Sequence, residues 1–233
     1  MALLAFDTCF GAVSVAVRYR AATGDWTIRE AYEPRETGHA ERLMPMIAEV
    51  MAAAALEFDQ IERFAVTVGP GSFTGVRVGV AAARAFALAA TRPVVGISSL
   101  EVIAARGRHL LGARADGRSL LVAVDARRGG LYCALHRDGT TDSDIAPVWQ
   151  TPDAAVTMAR DHGALVIGSG GPLMAECAAT AGHTIDTELA SIEPHARFVA
   201  LLAATRPSAS SIAPLYLRSP DVRPQPGPIA RQS

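Results

Sequence analysis

The chain opens on strand-length patterns. Residues 2–6 form a short apolar run that ends at Asp7, and residues 12–19 are Val-rich and alternate. Both patterns predict strands, and the Gly24-Asp25 turn signal predicts a third over 26–32. The period then changes. Leu43, Met44, Ile47, Val50, Met51 and Ala54 recur at helical spacing, which predicts a helix over 39–55 with Pro45 in its first turns or at a kink. Residues 64–68 read as a strand and Gly69-Pro70-Gly71-Ser72-Phe73-Thr74-Gly75 as a loop. A second helix follows over 76–90 and another strand over 93–97.

The second half repeats this order. Leu3-Leu4-Ala5-Phe6-Asp7 aligns with Leu121-Val122-Ala123-Val124-Asp125 at an offset of 118 residues, and Gly11 then falls on Gly129, Ala16 on Ala134 and Val17 on Leu135. After a turn at Asp138-Gly139 come a strand toward Trp149, a helix over 152–160 and a strand over 164–167 ending in Gly168-Ser169-Gly170-Gly171. A helix over 172–181 and a short strand near 184–186 complete the copy. Each half therefore reads strand-strand-strand-helix-strand-helix-strand, the pattern of a duplicated α/β protein with two lobes. The expected division is an N-terminal lobe over 1–98 and a C-terminal lobe over 99–205. The second begins with a joining helix over 98–111 and ends with a helix over 195–204. Six of the last 27 residues are Pro, so 206–233 is expected to be an irregular tail with a disordered end.

Composition narrows the chemistry. The 233 residues are half apolar and 19% charged with a net charge of -1, which lacks the basic excess of a free-standing nucleic-acid clamp. All 22 basic residues are Arg, which removes every mechanism built on a P-loop, Schiff-base or kinase lysine. Cys9, Cys133 and Cys177 are odd in number and none lies at metal-ligand spacing from another, so a reducing compartment is expected. The start meets Asp7 too early for a signal peptide. The longest stretches free of acid and Arg are 13 to 14 residues, short of a membrane span, and a cytoplasmic protein is expected.

Asp7 ends the first strand and is followed by Thr8 and a turn at Gly11; Asp125 is its counterpart. In two-lobed nucleotide-binding folds such an Asp approaches phosphate and Mg²⁺, although it can equally cap a strand end. Gly69, Gly71 and Gly75, with Ser72 and Thr74, offer either an anion loop at a helix start or a rigid structural turn. The spacing is neither a P-loop nor the dinucleotide fingerprint. Gly75, Gly79, Ala83 and Ala87 form a small-residue stripe, while Val76, Val80, Ala81, Ala85 and Leu88 extend the apolar surface round the second helix. The first helix is similarly broad, with Met44 and Met51 on a second flank. Burial in the core alone and burial in core plus interface both fit. No two of the six histidines are four residues apart and no nucleophile–base pair is readable, so neither a metal site nor catalytic residues are predicted.

Several motifs carry a family resemblance. They are Leu4-Ala5-Phe6-Asp7-Thr8, His39-Ala40-Glu41-Arg42-Leu43-Met44-Pro45, Val68 to Gly79, Ile97-Ser98-Ser99-Leu100, Asp125-Ala126-Arg127 and Pro214-Leu215-Tyr216-Leu217-Arg218. Together they resemble the TsaB (YeaZ) family over residues 3–218. The resemblance implies the duplicated two-lobe acetate kinase/Hsp70/actin-like (ribonuclease H-like) fold. It implies a non-catalytic scaffold and dimerisation subunit for forming N6-threonylcarbamoyladenosine at position 37 of tRNAs that read ANN codons. Such a subunit binds and activates the catalytic TsaD and helps recruit the ATPase TsaE. It has no cofactor of its own, and ATP and Mg²⁺ are used by the partners. It forms a homodimer when alone and meets tRNA through the complex. The implied interface lies on the two N-terminal-lobe helices, at His39, Leu43, Met44, Ile47, Met51, Val76, Val80 and Ala83. The alternative is an autonomous ATPase, kinase-like or glycoprotease-like enzyme of the same fold. The chain departs from the family pattern where Gly130 stands in place of a Glu, and where Cys9 and Phe10 replace small hydroxyl residues. It departs again in Ala83-Arg84-Ala85-Phe86-Ala87.

Overall fold

The computed structural model describes residues 2–127, 129–139 and 143–217. The first sheet is built from β1 (Ala2–Asp7), β2 (Ala12–Arg20), β3 (Trp26–Pro34), β4 (Ile61–Gly69) and β5 (Val94–Ser98) in the order β3-β2-β1-β4-β5. Helices α1 (His39–Ala54) and α2 (Phe73–Ala90) connect its strands, and α3 (Ser99–Leu111) leads to the second sheet. That sheet contains β6 (Leu120–Asp125), β7 (Leu131–His136), β8 (Ile145–Gln150), β9 (Leu165–Ile167) and β10 (Thr187–Glu188), with α4 (Pro152–Asp161), α5 (Gly171–Thr180) and α6 (Ala196–Ala203) completing the chain order. Read from its other edge the second order is β8-β7-β6-β9-β10, the same as the first. In both sheets the first three strands are antiparallel and the remaining two run parallel to the first. The predicted duplication is thus present in the topology. The last strand lies at Thr187–Glu188 rather than near 184–186, and α2 begins at Phe73 because Ser72 caps it.

Strand β1 is buried on both faces, which is why it reads as a continuous apolar run. Leu4 and Phe6 point with Val13, Val15, Phe64 and Val66 into the core beneath α1 and α2. Leu3 and Ala5 point the other way, toward α6. In that second layer Ala5, Ala16 and Ala65 meet Ala196, Ala200 and Ala203 beside the larger Ile97, Phe198 and Val199, and the small residues let helix and sheet approach closely. Helix α3 is shared. Val102 packs with the first sheet, whereas Leu100, Ile103 and Ala104 pack with β6 and β9. Helices α4 and α5 cover the opposite face of the second sheet.

Packing crosses the boundaries drawn in chain order. Helix α6 follows the second lobe in sequence but sits on the first sheet, anchored where the Ala196 amide donates to Ser14 Oγ at 2.9 Å. Residues 206–217 lack helix and strand, as expected, yet they are fastened to the same lobe. Ala209 N donates to Val94 O at 3.0 Å and Leu215 N to Val68 O at 2.7 Å. The expected disordered end lies outside the described residues.

This arrangement predicts that Ala200→Asp, which buries an unpaired carboxylate against β1, β2 and β4, destabilises the fold by about 3 kcal/mol or more. Leu201→Asp, one position along on the exposed side, leaves the thermal midpoint within about 2 °C. Thermal unfolding followed by circular dichroism checks the pair; equal midpoints would place α6 elsewhere.

Candidate functional site

The turn between β1 and β2 is pressed against the start of α2. Ser72 N donates to Cys9 O at 2.7 Å, Val76 N to Ser72 O at 3.0 Å and Gly75 N to Ser72 Oγ at 3.1 Å. In return, Thr8 Oγ1 donates to Gly75 O at 2.7 Å. Glycine makes this approach possible. A Cβ on Gly71 would lie 2.5 Å from Cys9 O, one on Gly75 2.0 Å from Thr8 O and one on Gly79 2.7 Å from Thr8 Oγ1. Gly69 has a φ of +106° and backs onto Leu215 O. Thr74 is exposed on the first turn of α2 and does not cap it. Three amides at the start of α2, those of Ser72, Gly75 and Val76, are thus bonded within the chain.

Asp7 is fully buried beneath the turn. Its Oδ1 accepts from Thr67 Oγ1 and from Cys9 N, the latter at 3.2 Å, and the Cys9 thiol donates to Thr67 Oγ1 at 3.2 Å. Its Oδ2 has no partner among the described residues. Burial pushes the Asp7 carboxyl up to about 6, against the opposing hydrogen bonds from Thr67 and Cys9. Glu193, from the segment before α6, reaches the same turn, where Gly11 N donates to its Oε2 at 3.4 Å. Burial, then the nearby Asp7 charge, raises Glu193 to about 7. His39 Nε2, 2.7 Å from Phe10 O, closes the turn from the other side. Sequence reasoning missed Glu193, because nothing in its local pattern shows that the chain returns to the first turn.

In the second lobe the glycine loop bonds the strand itself: Gly170 N donates to Ala123 O of β6 at 2.9 Å, whereas Ser72 N donates to Cys9 O in the turn after β1. Asp125 is exposed; its Oδ1 accepts from Arg127 N at 2.7 Å and its own amide donates to Ser169 Oγ at 3.0 Å. The Gly130 departure has a packing cause, since a Cβ there would fall 2.2 Å from the Trp149 indole nitrogen. Among the described residues no three His, Cys, Asp or Glu side chains are grouped to hold a metal.

The interface residues expected on α1 and α2 divide sharply. Leu43, Ile47, Met51, Val76, Val80 and Ala83 are buried in the chain's own core, so these six do not form a free surface. They are the large or close-packed positions, and the sheet takes them first. Met44 is 52% exposed and His39 is half-buried. The outward faces are made instead by Met44, Pro45, Ala48, Ala52 and Ala53 on α1 and by Ala81, Ala85, Leu88 and Ala89 on α2. Leu88 is 83% exposed, with Phe73 also open at the start of the helix. Phe73 lies 5.7 Å from Tyr216, centroid to centroid, and Arg77 bridges the two by stacking on Phe73 and donating to Tyr216 Oη at 3.0 Å. Helix α2 is 18 residues long and apolar enough in composition to cross a membrane. Here its inner side packs on the sheet.

Known proteins match this arrangement. The family model described as TsaD, tRNA N6-adenosine threonylcarbamoyltransferase, matches residues 33–214. The Haemophilus influenzae tRNA threonylcarbamoyladenosine biosynthesis protein TsaB is 33% identical over 180 residues, covering 73% of this chain and 72% of that protein. The chain belongs to the TsaB family. Escherichia coli TsaB is 37% identical over 139 residues, 59% of this chain and 55% of the relative. Among solved structures, a Pseudomonas aeruginosa protein with similarity to peptidase YeaZ superposes with a TM-score of 0.75 at 25% identity, over 93% of this chain and 99% of that one. The fold is accordingly the two-lobed, duplicated actin-like type. The motifs that carry the resemblance in the sequence meet in space: Asp7-Thr8 and the Gly69–Gly75 loop form the clasp, while Phe73, Arg77 and Tyr216 form the exposed cluster beside it.

The buried carboxyls give a pH signature. Asp7 holds its proton to about pH 6 in the folded chain, against an ordinary value of 3.8. The folded state therefore binds more protons between these values, and unfolding free energy falls as pH rises through them, by on the order of 3 kcal/mol. Glu193 carries the fall on toward pH 7. Asp7→Asn keeps an acceptor for Thr67 and Cys9 but removes the titrating group. Urea unfolding between about pH 4.5 and 7.5 should show a shallower decline for the variant; parallel curves would contradict this assignment.

Proposed function

We propose that this chain is the non-catalytic partner subunit in tRNA threonylcarbamoyladenosine synthesis. It binds a TsaD-like threonylcarbamoyltransferase through the outward faces of α1 and α2. The observation that carries the reading is the composition of those faces. Two neighbouring helices turn Met44, Leu88 and a run of alanines to water, small apolar positions interleaved with Glu49 and Arg84, which a partner can approach closely and pair by charge. The six buried candidates beneath this surface pack in the chain's own core and set the spacing of the helices. The clasp supports a scaffolding role, because the Ser72, Gly75 and Val76 amides at the start of α2 are engaged within the chain.

In this reading the catalytic subunit transfers threonylcarbamoyl to N6 of adenosine 37, and ATP and Mg²⁺ act in the partners. A TsaE-like ATPase joins the pair in the cytoplasm. Without its partner the chain covers the same surface with a second copy of itself. Reconstituting the modification with and without this chain tests the role; full activity in its absence would reject it.

The surface itself is tested by charge. Leu88→Glu and Ala48→Glu place a carboxylate on the outward faces, at sites exposed in the free chain. Each is expected to weaken binding to the threonylcarbamoyltransferase at least tenfold by calorimetry while the thermal midpoint of the free chain stays put. Unchanged affinity in both would remove these faces from the contact. Val80→Glu is unsuitable, because Val80 lies in the core.

A further inference from the structure

Helix α6 runs along the first sheet from Ser14 toward a corner where the chemistry changes. At that corner Leu3 pairs with Arg18 on one side and Arg63 on the other, so both arginines share its row and face, about 10 Å apart. Two residues further along β2, Arg20 pairs with Trp26 across the hairpin. The Arg18 guanidinium sits 3.7 Å from the Trp26 ring centroid and that of Arg20 5.1 Å from it. Arg20 Nη1 also donates to Gly24 O at 2.9 Å, which ties it to the turn.

Other arginines, Arg29, Arg84 and Arg92 among them, also lack an ion pair among the described residues; what sets this corner apart is that its arginines cluster around an exposed indole. Arg35, Arg42, Arg108, Arg114, Arg118, Arg137, Arg197 and Arg206 each have a carboxylate partner. Among the described residues no ion pair is present for Arg18, Arg20 or Arg63. Arg63 donates to the Arg206 carbonyl just past α6, and its Nε is buried without a partner. Asp25, in the hairpin turn, is engaged by Thr23 Oγ1 at 3.0 Å. Trp26 nonetheless keeps 43% of its surface exposed. An exposed indole held by guanidinium groups beside unneutralised arginines is the chemistry that stacks an unpaired base and takes the flanking phosphates.

We propose that the β2–β3 hairpin corner, Arg18, Arg20 and Trp26 with Arg63 behind them, is a contact site for single-stranded or loop RNA. This rests on the tRNA-modification reading for the presence of RNA, but uses a surface separate from the α1–α2 faces. It is local, so it is compatible with a net charge of -1.

The test is fluorescence anisotropy with end-labelled tRNA and a labelled oligouridine, using the full chain at low salt. Trp26→Ala is expected to weaken binding of both RNAs about fivefold or more, with Trp26→Phe restoring most of it. Arg20→Ala should reduce the slope of log affinity against log salt by about 0.7. The proposal falls if the wild-type chain binds neither RNA, or if Trp26→Ala and Arg20→Ala bind as it does. It also falls if polyglutamate displaces the RNA as well as unlabelled oligouridine does, since that outcome assigns the corner to an acidic protein surface. Binding of Trp26→Ala to the threonylcarbamoyltransferase should be unchanged, so failure here is separable from failure of the subunit reading.

Discussion

Everything at the functional end of the first lobe depends on the clasp between the β1–β2 turn and the start of α2. Its hydrogen bonds, Ser72 N to Cys9 O and Thr8 Oγ1 to Gly75 O, run in both directions between two segments more than sixty residues apart. They require the backbones to touch, and Gly71, Gly75 and Gly79 are there because a methyl group would not fit. The clasp fixes where α2 starts and how closely it lies on the sheet. Its inner valines then fill the core with Phe6 and Phe64, and its outer alanines are left facing water. The loop that resembles an anion cradle in sequence also joins α2 to the β1–β2 turn.

The joint also explains the buried carboxylate. Asp7 sits at the end of β1, roofed by the turn and held by Thr67 and Cys9. Glu193 arrives from the far end of the chain and shares the region, so two acids lie close in a poorly hydrated place. Both consequently retain protons to unusually high pH. The segment carrying Glu193 leads directly into α6, which returns the chain to the first sheet; Arg106 on α3 donates to the Glu193 carbonyl at 2.8 Å and ties that return to the joining helix.

Much of the fold was legible because periodicity reports burial. The change from alternation to helical spacing at His39 marked α1, and the repeat of Leu3–Asp7 in Leu121–Asp125 foretold two sheets of one order. What the pattern could not give was direction. On α1 and α2 the pattern left core and contact surface open, and of the eight positions the resemblance points to, six are claimed by the core. Apart from Met44 and Leu88 the outward faces carry mostly alanines, whose small side chains give no strong periodic signal. The place of α6 was hidden for a related reason: its Ala-to-Ala packing on Ala5, Ala16 and Ala65 depends on complementarity between distant segments. Trp26 beside Arg18 and Arg20 was likewise visible only once the hairpin register paired them.

The account separates two sides of one helix: an inner start closed by the chain itself and an outer face open to a partner. The closed side is tested most directly by calorimetric titration of Mg·ATP into the isolated full-length chain. The account predicts no saturable heat at the first-lobe loop, because the Ser72, Gly75 and Val76 amides are already bonded and the turn is pressed against them. Tight one-to-one binding, lost when Thr8 or Ser72 is replaced by Ala, would show that the clasp opens to phosphate and would contradict it.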